Sequence, residues 1–140
     1  MHLSIMKYRV LIVCALAVLS ACTAKVDRSE VVIRDNVAYL KGSREPFTGI
    51  VQGKGKEDYR SEVCTYKKEY KGGLLDGHSK YWYPSGALES VVPYKMGQIH
   101  GIVVRYYETG KIKARIHFVD GLRGGSKGEA FWDEQGNLIK

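Results

Sequence analysis

Glycine recurs with a fixed step through the second half of this 140-residue chain. Gly73, Gly97 and Gly121 lie 24 residues apart, as do Gly77, Gly101 and Gly125. Gly86 and Gly110 keep the same interval, and Gly136 follows after 26. Aromatic residues keep step. Tyr81-Trp82-Tyr83, Tyr106-Tyr107 and Phe131-Trp132 precede the last set of glycines, and Tyr70, Tyr94 and Phe118 form another column. Agreement of several columns at one period marks a structural repeat, and a repeat restricts the chain to units that bury their apolar faces against one another.

Each unit holds two turn signals. One is Gly72-Gly73, Met96-Gly97 or Asp120-Gly121; the other is Pro84-Ser85-Gly86, Glu108-Thr109-Gly110 or Glu134-Gln135-Gly136. Gly and Asx supply the positive φ that tight hairpins need. Strands of about 6–9 residues fit between successive turns and helices do not. The spacing predicts an all-β fold: an elongated antiparallel meander of repeated β-hairpins. Between Gly110 and Gly121, Ile112, Ala114, Ile116 and Phe118 alternate with Lys111, Lys113, Arg115 and His117, which predicts one buried and one wet face. One repeat earlier the apolar face reads Leu88, Ser90, Val92 and Tyr94. There Pro93 removes a ladder donor and predicts an edge or a bulge.

The stretches "YKGGLLDGHSKYWYPSGAL" and "YKMGQIHGIVVRYYETGKI" resemble the MORN-variant (YwqK-type antitoxin) repeat family. A third copy, "FVDGLRGGSKGEAFWDEQGNL", carries two extra residues, and "VAYLKGSREPFTGIV" is similar to the family's opening strand. A degenerate first repeat, with an insert around "GKGKEDYR", would occupy Gly49 to Tyr70. The resemblance spans residues 31–140 and implies a MORN-like repeat sheet, an elongated antiparallel meander whose repeats bury side chains against their neighbours. It also brings a second implication, an antitoxin or immunity role in which the sheet masks a toxin.

The first residues form a separate unit. Lys7 and Arg9 precede an apolar run, Val10 to Val18, that is too short for a stable membrane span. Leu19-Ser20-Ala21-Cys22 then resembles the lipobox of bacterial lipoproteins. The resemblance implies a signal peptide over 1–21, a signal helix cleaved after Ala21, lipid on Cys22, and a lipid-anchored tether over 22–30. "MKYRV" makes Met6 an alternative start, and an ordinary secretory signal is the competing reading. Thr23 after the lipidated cysteine makes the outer membrane of the cell envelope the default station. Cys14 would leave with the signal and Cys22 would take the lipid, so Cys64 stays single and no internal disulfide is expected. Cys64 sits in a strand pattern and is expected to be a half-buried structural thiol, not a nucleophile.

The formal charge is +7, and loss of Lys7 and Arg9 leaves 20 basic and 15 acidic residues, or +5. Such a balance favours anionic surfaces; an exported chain is not expected to meet nucleic acid. No catalytic constellation is expected. His78 and His100 fall in different repeat columns, and the acidic residues cluster in turns. No phosphate loop occurs, and neither a metal nor another cofactor is expected. Two candidate surfaces remain. One is the basic face Arg105, Lys111, Lys113, Arg115 and His117, suited to an acidic protein partner or lipid headgroups, or else simply solvated. The other is the aromatic set Tyr81, Trp82, Tyr83, Tyr106 and Tyr107, either a binding surface or the filling of a thin core. Open sheet edges add self-association as a further expectation.

Overall fold

The computed structural model describes residues 23–56, 63–124 and 128–140. The expected signal helix over 1–21, Cys22 and Gly125 lie outside the described residues. The strands are β1 (Lys25–Asp27), β2 (Val31–Arg34), β3 (Val37–Leu40), β4 (Gly49–Gly55), β5 (Cys64–Lys71) and β6 (Leu74–Trp82). They continue with β7 (Leu88–Lys95), β8 (Gln98–Ile99), β9 (Gly101–Tyr106), β10 (Ile112–Val119), β11 (Leu122–Arg123) and β12 (Ala130–Phe131). The main sheet runs β1-β4-β5-β6-β7-β9-β10-β11, with β8 beside β7 and β12 beside β10; β2 and β3 form a separate hairpin. The long strands β4, β5, β6, β7, β9 and β10 each pair antiparallel with the next, which is the expected meander.

Two kinds of turn alternate. At β7–β8 the two central residues, Met96 and Gly97, both have positive φ (48° and 83°), the two-residue hairpin whose twist matches that of the strands. Asp120-Gly121 and Gly72-Gly73 repeat it. At the opposite end Gly110 N–H donates to Tyr107 O at 2.9 Å and Tyr107 N–H to Lys111 O at 2.9 Å. Tyr83–Ala87 and Asp133–Asn137 close in the same way.

Register assigns the faces, since residues directly paired across strands point to one side. Tyr66, Tyr81, Ser90, Arg105 and Ala114 form one line across β5–β10, and Lys68, Ser79 and Val92 another. This inner face holds the larger core: Cys64, Tyr66, Tyr81, Val92 and Val103 are at most 5% exposed, with Tyr94, Ile99 and Phe118 packed on them. Cys64 is buried and carries no disulfide. A second cluster, Val31, Ala38, Phe47 and Val51, seats the β2–β3 hairpin near β4.

Three expectations need correction. First, residues 25–30, assigned to a tether, are structured. Lys25–Asp27 pair in parallel with Ile50, Val51 and Gln52, and Arg28–Glu30 form a 3-10 turn. The reason is Val26, which packs on the second core cluster while Lys25 and Asp27 stay exposed. Gly49 permits the approach, because a Cβ there would collide with the Ala24 carbonyl. The sheet is therefore mostly, not wholly, antiparallel.

Second, the alternation along β7 and β10 is broken. The register shifts between Tyr81 and Trp82 opposite Glu89, and again between Ile112 and Ala114 at Lys113. Each shift is a one-residue bulge, and the two lie one repeat apart. Leu88 pairs with Trp82 and Ile112 with Tyr106. Both therefore face outward, away from the core side on which parity had placed them. Third, Pro93 sits in an interior strand, not at an edge. The irregularity it predicts is present: its carbonyl accepts from His100 N–H at 3.0 Å, in the gap between β8 and β9.

Met96 holds a left-handed conformation with an exposed side chain. Met96→Asn is expected to stabilise the chain by about 0.5–1 kcal/mol, because asparagine adopts that conformation more readily. Urea denaturation followed by tryptophan fluorescence measures it.

Candidate functional site

The polar groups at the hairpin joints act on the backbone. Gly97 N–H donates to Leu75 O at 2.7 Å and Gly121 N–H to Ile99 O at 2.8 Å, tying each turn to the hairpin before it. Beside these bonds, Asp76 Oδ2 accepts from Met96 N–H at 3.1 Å, and one repeat later His100 Nδ1 pairs with the Asp120 carboxylate at 3.0 Å. At the other end the Tyr83 hydroxyl donates to Tyr106 O and the Tyr107 hydroxyl to Trp132 O, each at 2.7 Å.

The aromatic set is thus divided. Tyr81 is 1% exposed and belongs to the core, so it is no surface residue. Tyr83 and Tyr107 clamp successive repeats. Trp82 and Tyr106 are half-buried and face outward, with Lys67 Nζ 5.6 Å from the Trp82 ring centroid.

The basic set is divided as well. Arg105 pairs with Ala114 and Ser90, so it lies on the inner face, opposite Arg115; its guanidinium is 3.7 Å from the Glu89 carboxylate. Lys111 Nζ donates to the carbonyls of Glu134 (3.2 Å) and Gln135 (3.0 Å). Lys113 stands at the bulge, 5.1 Å from the Tyr107 ring centroid. Arg115 and His117 are exposed together on the outer face, through pairing with Val104 and Ile102.

Two residues missed from the sequence complete that face. Lys67, Lys80, Val91, Val104 and Arg115 form one register line across β5, β6, β7, β9 and β10. The repeat carried the signal: stepping back by the period from Arg115 gives Val91 and then Lys67, and from Val104 gives Lys80. Lys67, Lys80 and Arg115 are exposed, while Val91 and Val104 are half-buried between them.

Elsewhere the charges are engaged locally. Two hydrogen bonds from Asn137 hold the Asp133 carboxyl below its ordinary range, and the Arg123 guanidinium does the same for Glu129. A groove of about 360 Å³ includes Glu69 and Asp76, and both carboxylates there accept backbone N–H groups, from His78 and Met96. Among the described residues no group of three or more His, Cys, Asp or Glu is placed to hold a metal ion, and no helix is long and apolar enough to cross a membrane.

Residues 75–96 and 99–120 match the model of the MORN repeat variant. The two matches start one period apart and run through β6–β10, so a MORN-type repeat region lies at the centre of the sheet. No curated protein and no solved structure matches the chain significantly.

Tyr107→Phe keeps the ring and deletes one inter-repeat hydrogen bond. It is expected to cost about 1 kcal/mol, with the loss in hydrogen-exchange protection concentrated at β12 and the turn after it.

Proposed function

We propose that this chain is a non-enzymatic protein-interaction or scaffold module, held at a bacterial cell envelope by lipid on Cys22, with the outer membrane as its station. The observation that carries the interaction role is the asymmetry of the sheet. One face supplies the core, and the other presents half-buried apolar residues between exposed lysines and arginine. Repeat sheets commonly bind through such extended surfaces. The polar residues a catalyst would need are occupied as joints: Asp76, Tyr83 and Tyr107 bond to backbone groups, and His100 pairs with the Asp120 carboxylate of the next turn. Net positive charge favours an acidic partner.

The anchor rests on the lipobox-like Leu19-Ser20-Ala21-Cys22. The structured segment from Lys25 leaves only a short link between that cysteine and the sheet, so the module would sit close to the membrane surface. Likeness to antitoxin-type repeats favours a second reading, in which the same outer face covers an exported toxin as an immunity lipoprotein. A toxin gene beside this one would support that role.

Cys22→Ser separates the anchor from the domain. Wild-type chain is expected to incorporate labelled palmitate and to sediment with membranes, whereas the variant takes no label and is released. Equal labelling of both would overturn lipidation at Cys22.

A further inference from the structure

Resting on the reading as an interaction module, we propose that the outer face receives an amphipathic α-helix of a partner protein, with acidic residues flanking the helix's apolar stripe. The floor of the site is two strands wide. Val91 of β7 pairs with Val104 of β9, Leu88 lies on the same face of β7, all three are half-buried, and Ile102 at one end is 54% exposed. Lys80 on β6 bounds this floor on one side and Arg115 on β10 on the other, in the same register line.

The dimensions suit a helix. From β6 to β10 there are three strand spacings, about 14 Å, and a helix with its side chains is about 10–12 Å across. From Leu88 to Pro93 the floor runs about 17 Å, the length of about three helical turns. Long basic side chains can rise beside such a helix while their stems cover apolar surface. Its carboxylates would then meet Lys80 on one flank and Arg115 on the other.

Other occupants fit less well. An added strand needs a free edge, and both β7 and β9 have hydrogen-bonded neighbours on each side. A second copy placed face to face would set lysine and arginine against the same charges. A lipid bilayer would require the apolar residues to stand highest, whereas here exposed lysine and arginine flank half-buried valines.

The experiment places the photoreactive residue p-benzoylphenylalanine at Val104 of the full chain in its own cells, with the same probe at exposed Lys41 as a control. The expected result is a protein adduct at position 104. Its cross-linked peptide should be acidic, with apolar residues spaced i, i+3, i+4 and i+7. Paired Lys80→Glu and Arg115→Glu reversals should lower the adduct yield about tenfold, and Lys41→Glu should not. The paired alanine variants Lys80→Ala and Arg115→Ala, with a thermal melt, distinguish lost charge from lost folding. An adduct to lipid, to a second copy, or to a basic or extended segment would overturn the proposal. So would silence at 104 with protein capture at 41, which leaves the broader interaction role standing. Silence at every position would bring down both.

Discussion

The sheet depends on the bond that each turn makes to the hairpin before it. Gly97 N–H to Leu75 O and Gly121 N–H to Ile99 O set where one hairpin lies against the next. A single two-stranded hairpin is marginal in water, and three or more strands with a shared apolar face are needed. Here the shared face is the inner one, where Tyr66 and Tyr81 are buried with ring centroids 6.4 Å apart. Those rings belong to one hairpin, β5–β6, and the turn bonds set where the next hairpin lies as it adds Val92 and Val103 to the same core.

The outer face follows from irregularities in that register. Without the bulges at Glu89 and Lys113, Leu88 and Ile112 would point into the core and the outer face would be more polar. Because a bulge moves every later side chain by one position, each repeat turns one aliphatic residue outward. Both bulges recur with the repeat, so the exposed apolar surface belongs to the same repeating plan as the turns.

Much of the fold was legible in the sequence, because glycine spacing reports turns directly and turns fix strand length. The meander, the interior positions of Tyr94 and Phe118, and a structural role for Cys64 all follow from local chemistry. The bulges were not legible. A bulge is a relation between two strands, and the alternation Ile112 to Phe118 reads as unbroken until its partner strand is known. The short strand at Lys25–Asp27 escaped for a related reason: three residues with one valine carry no period, and only the cluster around Val51 explains their docking. The basic candidates follow β10 and its leading turn with Arg105 added from β9, whereas the surface runs across five strands. Thus Lys67 and Lys80 were overlooked, and Arg105 was placed on the wrong side.

The tyrosine clamps give the array a direction. Tyr83 reaches forward to the backbone of the next repeat and Tyr107 does the same, while the matching place in the last copy is held by Asp133, which instead receives Asn137 within its own turn. The assembly is therefore vectorial, with an internal stop. Duplicating a 24-residue module before that stop would repeat the turn bonds and the tyrosine clamps and widen the sheet by two strands, about 10 Å. Lineages could thus adjust the breadth of the platform in discrete steps, without redesigning either terminus.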